Sequence, residues 1–202
     1  MLSEEQRQRI EGLYIEYQQE IKLLMFYVES KYHKFPRGQL KEFRDVFDHI
    51  SRCYVSDISD DKIEENILKA ENHFTRIKLD TYKYLHDYKS QEYDIWKKKY
   101  SKYDMERIHD GQLWIDILEL EDEAEDFFDK ARRVEQTDIN KAFEYYQEST
   151  ARYANIDEII SSNRELIVKV KWKHRIIFMA ETVVAFVIGV IASLVATWIL
   201  QL

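Results

Sequence analysis

The strongest constraint on this chain is the apolar run IIFMAETVVAFVIGVIASLVATWIL at residues 176–200, in which Glu181 is the only ionisable residue. At 1.5 Å per residue, the part from Thr182 to Leu200 would form a helix of roughly 28 Å, close to the thickness of the hydrocarbon core of a bilayer. The run is apolar on most sides, and it lies at the opposite end of the sequence from a signal peptide. It therefore predicts a single transmembrane helix rather than a buried helix of a soluble domain.

Basic and aromatic residues flank this run, and they predict its orientation. Basic residues are concentrated in the segment just before it, whereas only Gln201 and Leu202 follow it. By the positive-inside rule the basic side stays in the cytoplasm, so we expect a cytoplasmic domain at 1–168, a basic juxtamembrane segment at 169–175 and a tail anchor at 176–202. The predicted membrane-flanking residues are Lys169, Lys171, Trp172, Lys173, Arg175 and Trp198.

Small or weakly polar residues recur every four positions along the apolar run. This stripe comprises Glu181, Ala185, Gly189, Ser193 and Thr197. Small side chains let transmembrane helices approach closely, and an acidic residue at the edge of hydrocarbon favours a protein interface or a water-filled lumen. The stripe predicts a homo-oligomer, and a ring of such helices would line a pore. The alternative is that Glu181 reaches the lipid headgroups and that the small residues reflect composition alone.

The composition of the rest of the chain indicates an all-α domain. The chain contains four Gly and one Pro, too few turn residues for a β-sandwich, a barrel or a doubly wound sheet. Residues 1–168 contain 37 acidic and 26 basic residues, within a net charge of −8 for the whole chain. Such a surface disfavours general nucleic-acid binding and excludes DNA from the expected partners. The single cysteine, Cys53, excludes an internal disulfide.

Helical periodicity divides residues 1–168 into about five helices. A capping-box pattern at Ser3 begins the first helix, which extends to about His33, before the break at Phe35–Gly38. The second helix directs its apolar residues inward, and these are Leu40, Phe43, Val46, Phe47 and Ile50. The other predicted boundaries are Gln39–Tyr54 for the second helix, about Ile63 toward His109 for the third, Gln112–Glu135 for the fourth, and about Asp138 into the membrane run for the fifth, with a kink or break at Ser161–Asn163.

The second helix contains the element R-D-x-x-x-H, formed by Arg44, Asp45 and His49. This element resembles the R-x4-H motif of the HEPN superfamily of helical-bundle proteins, many of which are ribonucleases. The resemblance implies an HEPN-like bundle in which two such elements meet at a dimer interface, where the histidine transfers a proton and the arginine stabilises charge on the phosphate. It would make Arg44, Asp45 and His49 catalytic residues of a metal-independent ribonuclease. The element lies earlier in the domain than it does in HEPN proteins. The resemblance therefore supports an HEPN-like fold more strongly than it supports catalytic activity.

The third helix carries a second polar group on one face, formed by His73, Arg76 and Asp80. Their spacing makes an Arg–Asp ion pair beside a histidine natural. If the second and third helices pack antiparallel, this trio lies near Arg44 and His49, and the five side chains form a polar pocket that is the best candidate for ligand binding. The alternative is a structural network that fixes the register of the two helices.

A small helical domain joined to a C-terminal anchor also resembles the membrane-anchored accessory proteins of RNA-targeting type VI CRISPR systems. This resemblance implies a bacterial antiphage role at the inner membrane, homo-oligomerisation, and a pore that depolarises the membrane once an RNA-guided nuclease is active. Three hypotheses follow, in order of preference: an oligomeric membrane effector or pore, a tail-anchored scaffold for a partner protein, and a membrane-tethered ribonuclease. The expected partners are the lipid bilayer, other copies of the chain, and an RNA-guided nuclease or RNA.

An acidic run at Asp116–Asp129 is the remaining notable feature. It lacks the spacing and the glycine of an EF-hand loop, so no metal is expected there. The run indicates either a solvated helix face or a surface that recruits basic segments of a partner. The sequence contains no phosphate-binding loop, nucleophile elbow or kinase signature, so no cofactor is expected.

Overall fold

The computed structural model describes residues 2–33, 37–101, 103, 105 and 108–199, apart from the side chains of Thr197 and Ile199. Every regular element in these ranges is helical, which confirms the all-α prediction. The chain divides into two units. The first comprises Met1–Glu92 and Glu123–Arg152, and the second comprises Tyr93–Asp122 and Tyr153–Leu202.

The first unit begins with a long helix that contains one π-helical turn. Helix α1 (Glu4–Glu16) begins at the predicted capping box, in which the Ser3 hydroxyl accepts from the Gln6 amide at 3.2 Å and the Gln6 side chain accepts from the Ser3 amide at 2.9 Å. The π-helical turn Tyr17–Ile21 leads into α2 (Lys22–Tyr32), which His33 ends with a left-handed backbone. The first predicted helix is thus confirmed, although a regular 3.6-residue period did not predict the π turn. The predicted break at Phe35–Gly38 lies mostly outside the described residues.

A first core joins α1 and α2 to α3 (Arg37–Arg52) and to the N-terminal half of α4 (Asp60–Tyr100). Its buried residues include Ile10, Val46 and Ile67. Two residues predicted to face inward are not buried, since Leu40 is 56% exposed and Phe47 is 58% exposed. The apolar face of α3 is wider than the surface that its neighbours cover, so these two side chains remain at the edge of the core.

A second core lies further along α4, where it meets the C-terminal half of α5 (Gln112–Val134) and the N-terminal half of α6 (Ile139–Ser162). The fully buried Tyr146 is at its centre, and its hydroxyl donates to a Glu135 carboxylate oxygen at 2.8 Å. The Glu135 carboxylate also accepts from Lys83 at 2.7 Å, so the polar end of this core is paired. The helix predicted over Gln112–Glu135 is confirmed to within one residue.

In the second unit, α4 ends at Tyr100, so the predicted continuation toward His109 is wrong. The Tyr103 amide donates to the Tyr100 carbonyl at 2.9 Å, which is a turn and not a continued α-helix. Met105 and Ile108 are buried. His109, Asp110 and Gly111 all have positive φ angles, and consecutive left-handed residues cannot extend a right-handed α-helix. The break predicted at Ser161–Asn163 is confirmed, because α6 ends at Ser162.

Helix α7 (Arg164–Ile199) contains the basic segment and almost all of the apolar run in one uninterrupted element. It is the one helix in the described residues that is long and apolar enough to cross a membrane, and none of its most apolar stretch is buried. At 1.5 Å per residue it extends about 54 Å, which exceeds the thickness of the hydrocarbon core of a bilayer.

Candidate functional site

Helices α3 and α4 bring two of the predicted polar residues together in the first unit. The imidazole rings of His49 and His73 stack with centroids 5.4 Å apart and an interplanar angle of 21°. This contact places the Arg44–His49 element on α3 beside the polar group on α4, as expected for antiparallel packing of these helices.

The hydrogen bonds of the two histidines define which ring nitrogen carries the proton. Nδ1 of His73 is 2.7 Å from a Glu42 carboxylate oxygen, and Nδ1 of His49 is 3.0 Å from the Asn66 side-chain oxygen. The Asn66 amide nitrogen donates to the Lys62 carbonyl, which leaves its oxygen free to accept. Both acceptors therefore require a proton on Nδ1, so each Nε2 carries a lone pair when the ring is neutral. Glu42 and Asn66 belong to this cluster but were not predicted from the sequence.

The charged members of the cluster have partners other than those expected. Arg44 is exposed and donates to Asp45 at 2.7 Å, and this bond holds the pKa of the Asp45 carboxyl below its usual value. Arg76 approaches Glu42 at 4.0 Å rather than forming the expected pair with Asp80.

Asp80 lies at the edge of this cluster. Its carboxylate is 4.0 Å from Lys83, and burial raises the pKa of the Asp80 carboxyl.

This arrangement has limited capacity for phosphate chemistry within one chain. In a ribonuclease of the HEPN type, the arginine and the histidine must converge on one phosphate. Here the Arg44 guanidinium is paired with Asp45, and the His49 ring is held by Asn66 and stacked on His73. Each of these side chains is matched by a neighbouring carboxylate or amide oxygen, which is the pattern of a network that fixes helix register.

An open apolar groove in the same unit was not predicted. It has a volume of about 510 Å³ and is lined by the π turn with its flanking residues, by α3, and by Phe74 of α4. Phe26, Leu40 and Phe47 line it and are more than half exposed. The insertion of one residue by the π turn changes the direction of the α2 side chains relative to α1. Sequence periodicity alone could not reveal this change.

A buried polar group around His86 was also missed. His86 is 5% exposed, stacks on Phe128 with ring centroids 3.6 Å apart, and has Nδ1 3.1 Å from the Ser149 hydroxyl and Nε2 3.3 Å from Glu125. Burial lowers the pKa of the His86 imidazole below its usual value, so the neutral ring is favoured in the folded protein at pH 7. Ser149 is fully buried, and this group is therefore closed to a macromolecular substrate.

The acidic run Asp116–Asp129 is partly neutralised by contacts within the chain. Glu121 accepts from Lys97 at 2.6 Å, and Glu123 accepts from Arg152 at 2.6 Å. Asp126 lies 2.5 Å from Lys130. These pairs reduce the negative charge that the run offers to a basic partner.

The described residues provide no obvious metal site or reactive thiol. Within them, no three His, Cys, Asp or Glu side chains converge as a metal ion would require. Cys53 is buried, and burial raises the pKa of its thiol, so the thiolate form is disfavoured at neutral pH.

The predicted membrane helix has the exposure that a lipid-facing segment requires. Trp172 is 60% exposed and Trp198 is 64% exposed near the two ends of the apolar run. Glu181, Ala185, Gly189 and Ser193 of the stripe are all exposed, whereas the side chain of Thr197 lies outside the described residues.

Comparison with known proteins identifies no relative. No protein-family model, no curated protein and no solved structure matches this chain. The resemblances to HEPN bundles and to type VI CRISPR accessory proteins therefore stay predictions.

Proposed function

We propose that this chain is a single-pass membrane protein that assembles through α7 and permeabilises the bilayer. The observation that carries the proposal is that every residue in the most apolar stretch of α7 is exposed and none is buried. An apolar surface of this length is far larger than a soluble monomer leaves in water, and a bilayer covers it directly. The basic segment at 169–175 then stays on the cytoplasmic side, together with the helices that precede it.

Assembly is supported by the geometry of the small-residue stripe. Because α7 is an uninterrupted helix, positions four residues apart form one ridge along its surface. A side-chain carbon placed on Gly189 has no neighbouring atom within 4 Å, so the smallness of this residue is not required by packing inside the chain. A glycine at this position allows a second α7 helix to approach closely, which accounts for its small size.

The proposed pore places Glu181 toward a water-filled lumen, since an ionised side chain facing lipid is costly. The resemblance to type VI CRISPR accessory proteins supports an antiphage role for such a pore at the bacterial inner membrane. In that role the pore opens after an RNA-guided nuclease has been activated.

The test uses the purified full-length chain in detergent and in liposomes that contain a self-quenched dye. We expect a particle with the mass of a defined oligomer and release of dye after reconstitution. Gly189→Leu should dissociate the particle and remove most of the leak. Val187→Leu adds the same side chain about 160° around the helix and should change neither. A monomeric wild-type particle, or equal leak from the two variants, would contradict the proposal.

A membrane-tethered scaffold is the second candidate, and the apolar groove of the first unit favours it. In this case the groove binds an apolar helix of a partner protein. A photo-crosslinking residue at Phe47 should then form an adduct with a protein other than this chain in cells. The same residue at Leu68, which is 54% exposed and does not line the groove, should not. Adducts only between copies of this chain would count against the scaffold.

Ribonuclease activity ranks third, because Arg44 and His49 are held by different partners in one chain. Its test is the cleavage of a labelled single-stranded RNA by the purified chain without divalent metal. Cleavage that disappears in both Arg44→Ala and His49→Ala would move this candidate to first place.

A further inference from the structure

The part of α7 that precedes the apolar run has two different faces. One face is turned toward its own unit: Ile167 is buried, Lys171 is half-buried, and the His174 ring contacts the Tyr103 ring at 5.2 Å. Because side chains three and four positions apart share a helix face, these residues form one stripe. The packing of this stripe defines which residues face outward.

The outward face combines two lysines with a large apolar surface. Lys169 and Lys173 are exposed and one turn apart, with the 60% exposed Trp172 between them. These three residues line a shallow hollow together with Val168, Ile176 and Ile177. No acidic residue occurs between residue 166 and Glu181, so the hollow is positively charged in a chain that is acidic overall.

We propose that this hollow binds an anionic phospholipid at the cytoplasmic surface of the membrane. Lys169 and Lys173 hold the phosphate and headgroup, because side chains one turn apart can both reach a single anion. Trp172 lies at the level of the glycerol backbone, where amphipathic rings are favoured, and Ile176 contacts the start of an acyl chain. The inference rests on the first part of the proposed function, the insertion of α7, and does not depend on the pore.

A lipid fits this hollow better than a nucleic acid does. Counterion release makes RNA binding favourable when many basic side chains contact successive phosphates of the backbone. Only two lysines project from this face. The apolar residues between them would stay exposed to water against an RNA backbone, but a lipid covers them. The strongly acidic residues 1–168 also repel a long polyanion.

The chain offers a matched control for this inference. Lys171→Gln/Arg175→Gln removes the same charge, with the same spacing, from the other side of the same helix. Lys169→Gln/Lys173→Gln removes it from the hollow. If lipid binding reflects only the general attraction of positive charge to an anionic surface, both double variants should weaken it equally. If lipid binds at the hollow, only Lys169→Gln/Lys173→Gln should weaken it strongly.

The experiment titrates full-length protein in detergent micelles with phosphatidylglycerol or phosphatidylcholine, and native mass spectrometry measures the bound lipid. We expect wild type to retain phosphatidylglycerol in preference to phosphatidylcholine. Each lysine contributes about fivefold, so Lys169→Gln/Lys173→Gln should weaken phosphatidylglycerol binding by about 25-fold. Lys171→Gln/Arg175→Gln should keep most of the preference, and the helical circular dichroism of both variants should match that of wild type.

Three results would overturn the inference: equal losses in the two double variants, no preference for phosphatidylglycerol, or displacement of that lipid by a short single-stranded RNA. Reconstitution into pure phosphatidylcholine vesicles distinguishes failure of the lipid-site inference from failure of the proposed membrane anchoring. A chain that inserts into these vesicles but shows no lipid preference contradicts only the lipid site. A chain that stays soluble and outside them contradicts membrane anchoring itself.

Discussion

The buried histidine of the first unit makes the stability of this protein depend on pH in a defined way. Burial lowers the pKa of His86, while the carboxylates of Glu125, Asp87 and Asp129 oppose that effect in part. In the unfolded chain the same imidazole has its usual pKa of about 6.5. As the pH falls below 6.5, the unfolded state takes up a proton before the folded state does, so the free energy of unfolding must decrease.

The size of the effect follows from linkage. Protonation of one group in the unfolded state alone changes the free energy of unfolding by at most about 1.4 kcal/mol for each pH unit. With the folded imidazole fully neutral, stability at pH 5.5 is therefore lower than at pH 7.5 by at most about 1.4 kcal/mol. Carboxylates with lowered pKa values, such as Glu64 and Glu135, lose their contribution only below about pH 4.5. These two carboxylates therefore stay ionised between pH 7.5 and 5.5 and do not contribute to the change in stability over this interval.

The assay is urea unfolding of the full-length protein in detergent micelles, followed by far-ultraviolet circular dichroism at several pH values. His86→Gln loses the ring contact with Phe128 and should be less stable than wild type at pH 7.5 by about 1–3 kcal/mol. Its stability should nevertheless change less between pH 7.5 and 5.5, because the titrating group is gone. His174→Gln, at an exposed position, should leave the stability at pH 7.5 close to that of wild type. Equal pH dependence in wild type and His86→Gln would refute the reasoning.

Three further predictions concern stability at pH 7.5 and use the same unfolding assay. Tyr146→Phe should destabilise the protein by about 1.5–3 kcal/mol, because it removes the hydrogen bond from the buried Tyr146 hydroxyl to the charged, partly buried Glu135 carboxylate. Gly12→Ala should stabilise it by about 0.5–1 kcal/mol, since the position is within α1 and an added carbon has no neighbour within 4 Å. Gln39→Leu should change stability by less than about 1 kcal/mol, because the two donor bonds it loses are offset by removal of a side-chain oxygen that has no partner among the described residues.

Each of these three predictions has an outcome that would contradict it. Tyr145→Phe makes the same chemical change at a half-buried position and should cost much less than Tyr146→Phe. A destabilising Gly12→Ala would mean that a neighbour covers this face of α1. A loss of several kcal/mol in Gln39→Leu would mean that the Gln39 oxygen has a partner, such as a buried water.

Local features of the fold were predictable because they depend on residues close together in the chain. The capping box at Ser3 and the break near Asn163 are local hydrogen-bond patterns, and both occur where the sequence indicated. The end of α4 was misplaced because no glycine or proline marks the turn after Tyr100 in the sequence. The exposure of Leu40 and Phe47 was missed because periodicity identifies an apolar face but not how much of it a neighbour covers.

In the candidate sites too, some features could be predicted from the local sequence and others depend on tertiary contacts. The proximity of His73 to His49 was expected from antiparallel helix packing, but the stacking of their rings and the parts played by Glu42 and Asn66 were not. Nothing in their local sequence distinguishes them from solvated residues on a helix surface. The buried group at His86 was missed because its partner Ser149 is distant in the sequence.

The sequence by itself determined that the chain is helical and that one helix is long and apolar enough to cross a bilayer, because composition, periodicity and length act within a single segment. Only the tertiary structure decided which polar side chains meet, which histidine is buried, and which face of the basic segment points outward at Lys169 and Lys173. These properties arise from the contact of segments far apart in the chain, and a side chain's charge state and accessibility depend on what packs against it.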